Sequence, residues 1–216
     1  MEFKYYVYCF ADIMLIVTSL IFGLKFLKKR NYLLGGELLV VGFSATNLLI
    51  NALTELPAFL NVSLFCDAFS RAFGIPVITV AGMMVATHRF RPSTLLDVTL
   101  FTAGLAVTVF VWQADFLSAV KPYFYLVMWT LFSVYLLGFA FRLARAGEKL
   151  QAASVVLAML FAQTIASIYD FYHIPGDDDH VIFYSFALLA WSFLGFSLYH
   201  AYCALERLQS RPHSLS

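Results

Sequence analysis

Long apolar runs separated by short polar connections dominate the pattern of hydrophobic and polar positions along this chain. Each run has about twenty residues, the length that an α-helix needs to cross the hydrocarbon core of a bilayer. A membrane barrel would instead show alternation over segments of about ten residues, and none is visible. The pattern therefore predicts an all-α integral membrane protein with seven transmembrane helices, at about residues 5–25, 35–55, 65–87, 95–113, 121–142, 150–171 and 181–203.

The composition agrees with this fold class and excludes several functions. The chain is 62% hydrophobic and 12% charged, which is far more apolar than a typical soluble domain. Its net charge of +1 gives no basic field for binding nucleic acid. The first apolar run precedes its basic cluster, so we expect a retained first helix and no cleaved signal peptide. We expect one membrane domain over residues 1–216, with a short cytoplasmic tail at 204–216 and no attached soluble domain.

The distribution of basic residues predicts how the helices are oriented. Eleven of the fourteen lysines and arginines fall in alternate connections, on the side of the membrane where the chain ends. Basic residues favour the cytoplasmic side, so the N-terminus is predicted to lie outside and the C-terminus in the cytoplasm. The eleven residues are Lys25, Lys28, Lys29, Arg30, Arg89, Arg91, Arg142, Arg145, Lys149, Arg207 and Arg211. The predicted location is a plasma membrane or a bacterial inner membrane.

A candidate internal repeat relates helices 1–3 to helices 5–7. The segments that begin at Lys4 and Lys121 align without a gap and share lysine, tyrosine, valine and basic positions. In this interpretation helix 4 is an inverting linker between two parallel repeats. The plan resembles the three-plus-one-plus-three architecture of the SWEET sugar transporters and the PQ-loop proteins. The resemblance covers architecture and orientation only, because the proline–glutamine motif is absent. Chance similarity between two aromatic-rich helices is the alternative explanation.

Polar and ionisable side chains inside the predicted spans concentrate in the half that this orientation makes the outer one. Ionisable groups within spans are costly, by roughly 2.5–3.5 kcal/mol each on insertion scales, and by default mark a functional site. Helices 2, 3 and 6 carry such groups at spacings that place them on one helix face. The candidate ligand- or proton-binding residues are Asp12, Asn47, Asn51, Glu55, Asp67, Arg71, Gln163, Asp170 and His173.

Two interpretations of this set stay open. In the first, it is a structural polar network, with Asp67 and Arg71 paired four residues apart on helix 3. In the second, it lines a water-accessible cavity between helices 1, 2, 3 and 6. The acidic residues of the set outnumber Arg71, which favours a cation or a proton-coupled solute. Tyrosines near the outer helix ends are typical of an interfacial belt, and those facing inward would add cation–π contacts.

A candidate hinge lies in helix 3 next to Arg71. Pro76 removes a backbone hydrogen bond and clashes with the preceding turn, and Gly74 loosens the same point. Such a kink is compatible with gating and equally with a static bend.

The predicted inner half is poorer in polar groups. Its candidates lie where a cytoplasmic headgroup layer would solvate them, so we expect no site there. They are Glu37, His88, Asp97, His200 and Glu206.

Three functions are compatible with these features. The first is a transporter or carrier of a small cationic or proton-coupled polar solute. The second is a receptor-like or regulatory subunit that acts through another membrane protein, or as a homo-oligomer. No lysine occurs in the middle of helix 7, which excludes a retinal Schiff base. No phosphate-binding loop or hydrolase motif occurs, and no cofactor is predicted.

The third function is an intramembrane metal-dependent hydrolase, suggested by the acidic loop that follows helix 6. Residues 177–179 are three aspartates, and with Asp170, His173 and His180 they are broadly similar to the serine, aspartate and histidine sets of the alkaline ceramidase and progestin-receptor-like group. Zinc needs about three protein ligands, and His88 and His200 lie at the opposite end of the bundle. We therefore predict no resident metal.

Overall fold

A computed structural model of the chain describes residues 3–88, 90 and 92–210, and these residues form helices and connections without a strand. Seven of the helices are long and apolar enough to cross a membrane. They are α1 (Phe3–Lys28), α2 (Tyr32–Thr54), α3 (Pro57–His88), α4 (Thr94–Gln113), α5 (Lys121–Arg145), α6 (Lys149–Ile168) and α7 (Val181–Ser210).

All seven predicted helices are present, and three of their predicted ends are wrong. Helix α3 begins at Pro57, eight residues early, because a proline fits the first turn, where its missing N–H is not needed. Helix α6 ends at Ile168, so Asp170 lies just beyond it. Helix α7 continues to Ser210, so residues 204–210 of the predicted tail are helical. Arg89, Arg91 and Arg211, used for the orientation, lie outside the described residues.

Six helices form a ring, and α4 packs on its outside. The main contacts join α1 to α2, α2 to α3, α3 to α5, α5 to α6, α6 to α7 and α7 back to α1. Helix α4 packs chiefly against α3. This order is compatible with the candidate repeat, but a simple sequential ring has the same contacts, and the repeat stays a prediction.

The outer surface of this bundle is largely apolar along the helices. Many large hydrophobic side chains on its circumference are exposed, including Leu24, Leu105, Val127, Leu131 and Val134. A water-soluble protein rarely exposes so much contiguous apolar surface. The surface is thus of the kind that lipid covers.

We call the end of the bundle that holds Phe3 the N-side, and the end that holds Lys28 and Tyr32 the C-side. On the C-side, Lys29 forms an ion pair with Glu206 of α7. Arg142 of α5 donates a 2.8 Å hydrogen bond to the Thr87 carbonyl oxygen at the end of α3. These contacts tie neighbouring helices together at the C-side.

Helix α3 changes its winding in the middle. Residues Ser70–Thr79 form a π-helical segment between the α-helical stretches Pro57–Phe69 and Val80–His88. Pro76 lies inside the segment, where it lacks an N–H and its ring displaces the preceding turn. π-Helical turns are rare and occur frequently at functional sites. The predicted hinge residues Gly74 and Pro76 therefore lie in a locally widened helix.

Candidate functional site

An ion cluster lies at the N-side end of the π-helical segment. Arg71 forms a close ion pair with Asp170, which the end of α6 places beside it. Arg71 is also 3.7 Å from Asp67, one turn earlier on α3, as the four-residue spacing predicted. The side chain of Arg71 is only 7% exposed, whereas Asp67 and Asp170 are 19% and 25% exposed. The cluster therefore reaches from the interior toward the N-side surface.

Two tyrosine rings enclose the guanidinium group of Arg71. Its Cζ lies 3.9 Å from the ring centroid of Tyr169 and 4.3 Å from that of Tyr125. The Tyr169 hydroxyl donates to a carboxylate oxygen of Asp67 at 3.2 Å. Planar guanidinium groups stack on aromatic faces while pairing with carboxylates at their edges. Helices α3, α5 and α6 thus hold one cation between two rings and two carboxylates.

A central cavity of about 110 Å³ begins at this cluster and extends into the ring. Apolar side chains from α1, α2, α3 and α7 line most of it, and Asp67, Arg71 and Tyr169 line its N-side end. An engineered apolar cavity of about 150 Å³ binds benzene, and this space, although smaller, is of the same order. Helices 1, 2, 3 and 6 were predicted to line a cavity. This prediction is incomplete, because α5 and α7 also line the observed cavity.

Two hydrogen-bond donors on the cavity wall have no partner among the described residues. They are the indole Nε1 groups of Trp129 and Trp191. Buried polar groups are nearly always hydrogen-bonded, and an unpaired one costs about 1–3 kcal/mol. A bound molecule with an acceptor, such as a hydroxyl or carbonyl oxygen, would satisfy them.

The other predicted polar residues of α2 lie apart from this cluster. Asn47 donates to the Phe43 carbonyl oxygen of its own helix at 2.8 Å, and Asn51 donates to Leu56 at 3.1 Å. Glu55 is exposed and ends α2 in a left-handed conformation with φ of 58°. None of these three side chains lines the cavity.

Gln163 and Asp12 also lie in other places than predicted. Gln163 accepts a 2.7 Å hydrogen bond from Ser133 and joins α5 to α6. Asp12 is fully buried in α1, and both of its carboxylate oxygens lack a partner among the described residues. Neither residue is among those that line the cavity. Of the nine candidate residues, the structure brings together Asp67, Arg71 and Asp170.

The expectation that Glu37 is solvated at the membrane surface is wrong. Its side chain is 0% exposed, and it packs against Gly74 in the π-helical segment. The reason is a stagger between helices: Asn31, which caps α2, donates to the Gly82 carbonyl oxygen at 2.9 Å, so α3 continues past the start of α2. Asp97 is also buried, with 8% exposure, at the start of α4. The position of a residue near the end of its own helix therefore did not predict whether the neighbouring helices bury it.

We expect a methyl group at Gly74 to destabilise the protein through Glu37. A Cβ at position 74 would lie 2.3 Å from both carboxylate oxygens of Glu37, so Gly74→Ala should cost about 1–3 kcal/mol. Unfolding measurements should show most of this cost disappear when Glu37→Ala is added. Gly138→Ala is the control, because a Cβ there has nothing within 4 Å. An equal cost at both glycines would contradict the contact.

Two acidic residues of the loop between α6 and α7 have structural contacts. Asp177 accepts hydrogen bonds from the backbone N–H groups of Ile182 and Phe183 at 2.9 and 2.8 Å, and so caps α7. Asp179 pairs with Lys4 at 2.8 Å and accepts a 2.7 Å hydrogen bond from the Tyr5 hydroxyl. The loop therefore fastens the start of α1 to the start of α7.

His173 belongs to this loop and packs against a second histidine. Its ring packs against that of His180, with centroids 4.0 Å apart. In the described part of the chain, no three histidine, cysteine, aspartate or glutamate side chains are placed to hold one metal ion. The ligand set that the hydrolase hypothesis requires is not assembled there.

We expect the Asp179 contacts to stabilise the protein only above strongly acidic pH. Hydrogen bonds from Lys4 and Tyr5 lower the pKa of Asp179 from 3.8 to about 2. A lowered pKa means that the stabilisation is present above about pH 4 and is lost as the pH falls toward 2. Asp179→Asn should lower the melting temperature at neutral pH and make no difference near pH 2. Asp178→Asn, in the same loop, is the control and should change little at either pH.

The sequence analysis missed three residues of this site, Ser70, Trp129 and Trp191, and it did not distinguish Tyr169 from the other tyrosines near the outer helix ends. Tyr169 immediately precedes Asp170, and Ser70 immediately precedes Arg71. Their position next to a charged candidate residue was therefore the feature by which the sequence could have identified them. Trp129 and Trp191 lie in the middle of apolar helices with no polar pattern around them, so only the packing of the ring identifies them.

Comparisons with known proteins do not assign a family or a function to the chain. No known protein family, curated protein or solved structure matches the chain.

Proposed function

We propose that this protein is a membrane carrier of a small organic cation, which binds in the central cavity with its positive charge next to Asp67. The observation that carries the proposal is the cavity itself, because it is apolar along most of its wall and has the Asp67–Arg71–Asp170 cluster at one end. Ligand sites are typically apolar pockets with a few well-placed polar groups.

The charges at the cluster favour a cation. Two carboxylates and one guanidinium leave one formal negative charge when both carboxylates are ionised, and Arg71 already has two acidic partners. Asp67 and Arg71 are the charged residues that line the cavity. An anion would compete with Asp67 and Asp170 for Arg71, whereas a cation would compensate the excess negative charge.

Aromatic rings near Asp67 favour a quaternary or alkylated ammonium group. Tyr169 lies 6.2 Å from Tyr184 and 6.2 Å from Trp191 between ring centroids, and all three line the cavity. Aromatic faces attract ammonium groups, and the attraction is stronger where water is excluded. The unpaired donors on Trp129 and Trp191 add the requirement of an oxygen acceptor in the solute.

The proposal includes insertion in a membrane with the N-side outside. Seven apolar helices and an apolar circumference support insertion. The excess of basic residues on the C-side supports a cytoplasmic C-side. In this orientation the partly exposed Asp170 marks the external entrance to the site. Lipid is the surrounding partner.

Three probes of similar shape and different charge test the proposed selectivity. Choline is a cation, 3,3-dimethyl-1-butanol is its neutral analogue, and 3,3-dimethylbutanoate is a related anion. We expect choline to raise the unfolding free energy of the purified protein in detergent. A ligand that binds only the folded state at about 100 times its Kd adds about 2.7 kcal/mol.

The same experiment contains its controls. Asp67→Asn should remove the choline effect, whereas Asp178→Asn, at a residue that does not line the cavity, should retain it. Stabilisation by the anion alone would contradict the proposed charge selectivity and would make Arg71 the contact. Equal stabilisation by choline in the Asp67→Asn variant would exclude Asp67 as the contact residue.

A further inference from the structure

Glu37 is a buried acidic group that the solute site does not use. Its side chain is 0% exposed, and neither carboxylate oxygen has a hydrogen-bond partner among the described residues. An isolated carboxylate is very costly in a medium of low dielectric constant, and such a group normally becomes neutral instead. The surroundings of Glu37 therefore favour its carboxylic acid form.

The contact between Glu37 and α3 falls on the least regular part of the bundle. Both carboxylate oxygens lie against Gly74, inside the π-helical segment Ser70–Thr79. Only a glycine leaves room for them there, because a Cβ would come within 2.3 Å of each oxygen. Pro76, two residues later, prevents the segment from forming a regular α-helical ladder. The segment is thus a place where a small change at Glu37 can alter helix geometry.

The same segment carries residues of the solute site. Ser70 and Arg71 lie one turn before Gly74, and both line the central cavity. Thr79, at the other end of the segment, also lines it. A change in the winding of this segment would therefore move groups on the cavity wall.

Few other polar groups face Glu37. From α3, these are the Ser70 hydroxyl and the Cys66 thiol. Helix α4 places Phe101 beside Gly36, and its single titratable side chain, Asp97, is one turn away from Phe101 toward the C-side. No cation among the described residues forms an ion pair with Glu37. Deprotonation would leave a carboxylate that must move toward water or a polar group.

From this arrangement we infer that Glu37 is a proton-binding site, and that the π-helical segment Ser70–Thr79 couples its occupancy to the shape of the central cavity. With a proton bound, the neutral carboxyl group fits against Gly74. Without it, the charged group leaves this contact and the segment rewinds. The proposal of a proton site at Glu37 does not require a solute. That proton binding drives solute uptake is a further step, which rests on the proposed carrier function.

Tryptophan fluorescence can detect the coupling without a solute. The chain has three tryptophans: Trp129 and Trp191 line the cavity, and Trp112 lies on α4 with 43% exposure. In a Trp112→Phe background, emission reports the cavity. We expect the emission to change with pH across roughly pH 5 to 9, a range in which buried carboxyl groups titrate. Glu37→Gln, which has nearly the same shape and holds no exchangeable charge, should abolish the change.

Asp12→Asn is the matched control, because Asp12 is the other carboxyl group among the described residues that is fully buried and has no partner there for either oxygen. It should keep the pH response. If the response persists in Glu37→Gln, or disappears only in Asp12→Asn, the coupling through Glu37 is refuted.

Infrared difference spectra between the two pH extremes test the proton site directly. The spectrum should contain a carboxylic acid C=O band that is absent in Glu37→Gln. Identical bands in both proteins would overturn the assignment, whatever the outcome for solute binding.

Discussion

Replacing Arg71 with methionine is expected to destabilise the folded protein by about 3–5 kcal/mol, the loss found when one partner of a buried ion pair is removed. The substitution leaves Asp67 and Asp170 facing each other without a cation between them. It also removes the group stacked on Tyr125 and Tyr169. Because Asp170 is 25% exposed and retains contact with water, we expect the lower part of this range.

Unfolding of the purified protein in detergent measures this loss, and two further variants identify its cause. Adding Asp67→Asn and Asp170→Asn to Arg71→Met removes the unpaired charges, so it should recover much of the stability. Arg71→Lys keeps the charge but loses the planar group, and it should be intermediate. If Arg71→Met costs less than the Gly74→Ala substitution, the cluster is not the buried ion network described above.

Filling the central cavity should abolish solute binding while leaving the fold intact. Gly195 of α7 lines the cavity, and a Cβ there would meet Leu38 and Thr18 at 3.6 and 3.7 Å, which is ordinary contact. Gly195→Ala should therefore be tolerated and should still bind choline. In Gly195→Leu the additional carbons must enter the cavity of about 110 Å³, so the choline effect on stability should disappear.

Comparing Gly195→Ala with Gly195→Leu distinguishes a filled cavity from a misfolded protein. Both should elute as the same species in detergent, and Gly195→Leu should unfold at a temperature close to that of Gly195→Ala, because it fills space that was empty. Choline binding that survives in Gly195→Leu would show that the solute site lies elsewhere in the protein.

The helices could be predicted from the sequence because the length of an apolar run is a local property. The pairing of Asp67 with Arg71 could also be predicted, since four residues place both on one helix face. The ion pair of Arg71 with Asp170 joins residues 99 positions apart, and it depends on how α3 and α6 meet. Neither segment contains a sequence feature that predicts this contact between the two helices.

Glu37 shows most clearly why burial inside the bundle could not be predicted from the sequence. It lies five residues into α2, which suggested the membrane surface, yet the contact of Asn31 with Gly82 sets α2 deeper against α3. The aromatic residues were ambiguous for a related reason. A tyrosine near a helix end serves equally in an interfacial belt or a binding site, and only packing places Tyr169 against Arg71.

Uptake of labelled choline into proteoliposomes tests the central proposal most directly, because a permanently charged ammonium crosses a bare bilayer poorly. Vesicles with the wild-type protein or with Gly195→Ala should take up choline. The rate of uptake should be higher in a pH gradient than without one. Vesicles with Gly195→Leu should accumulate no more than empty vesicles. Wild-type uptake equal to that of empty vesicles under both conditions would contradict the carrier function.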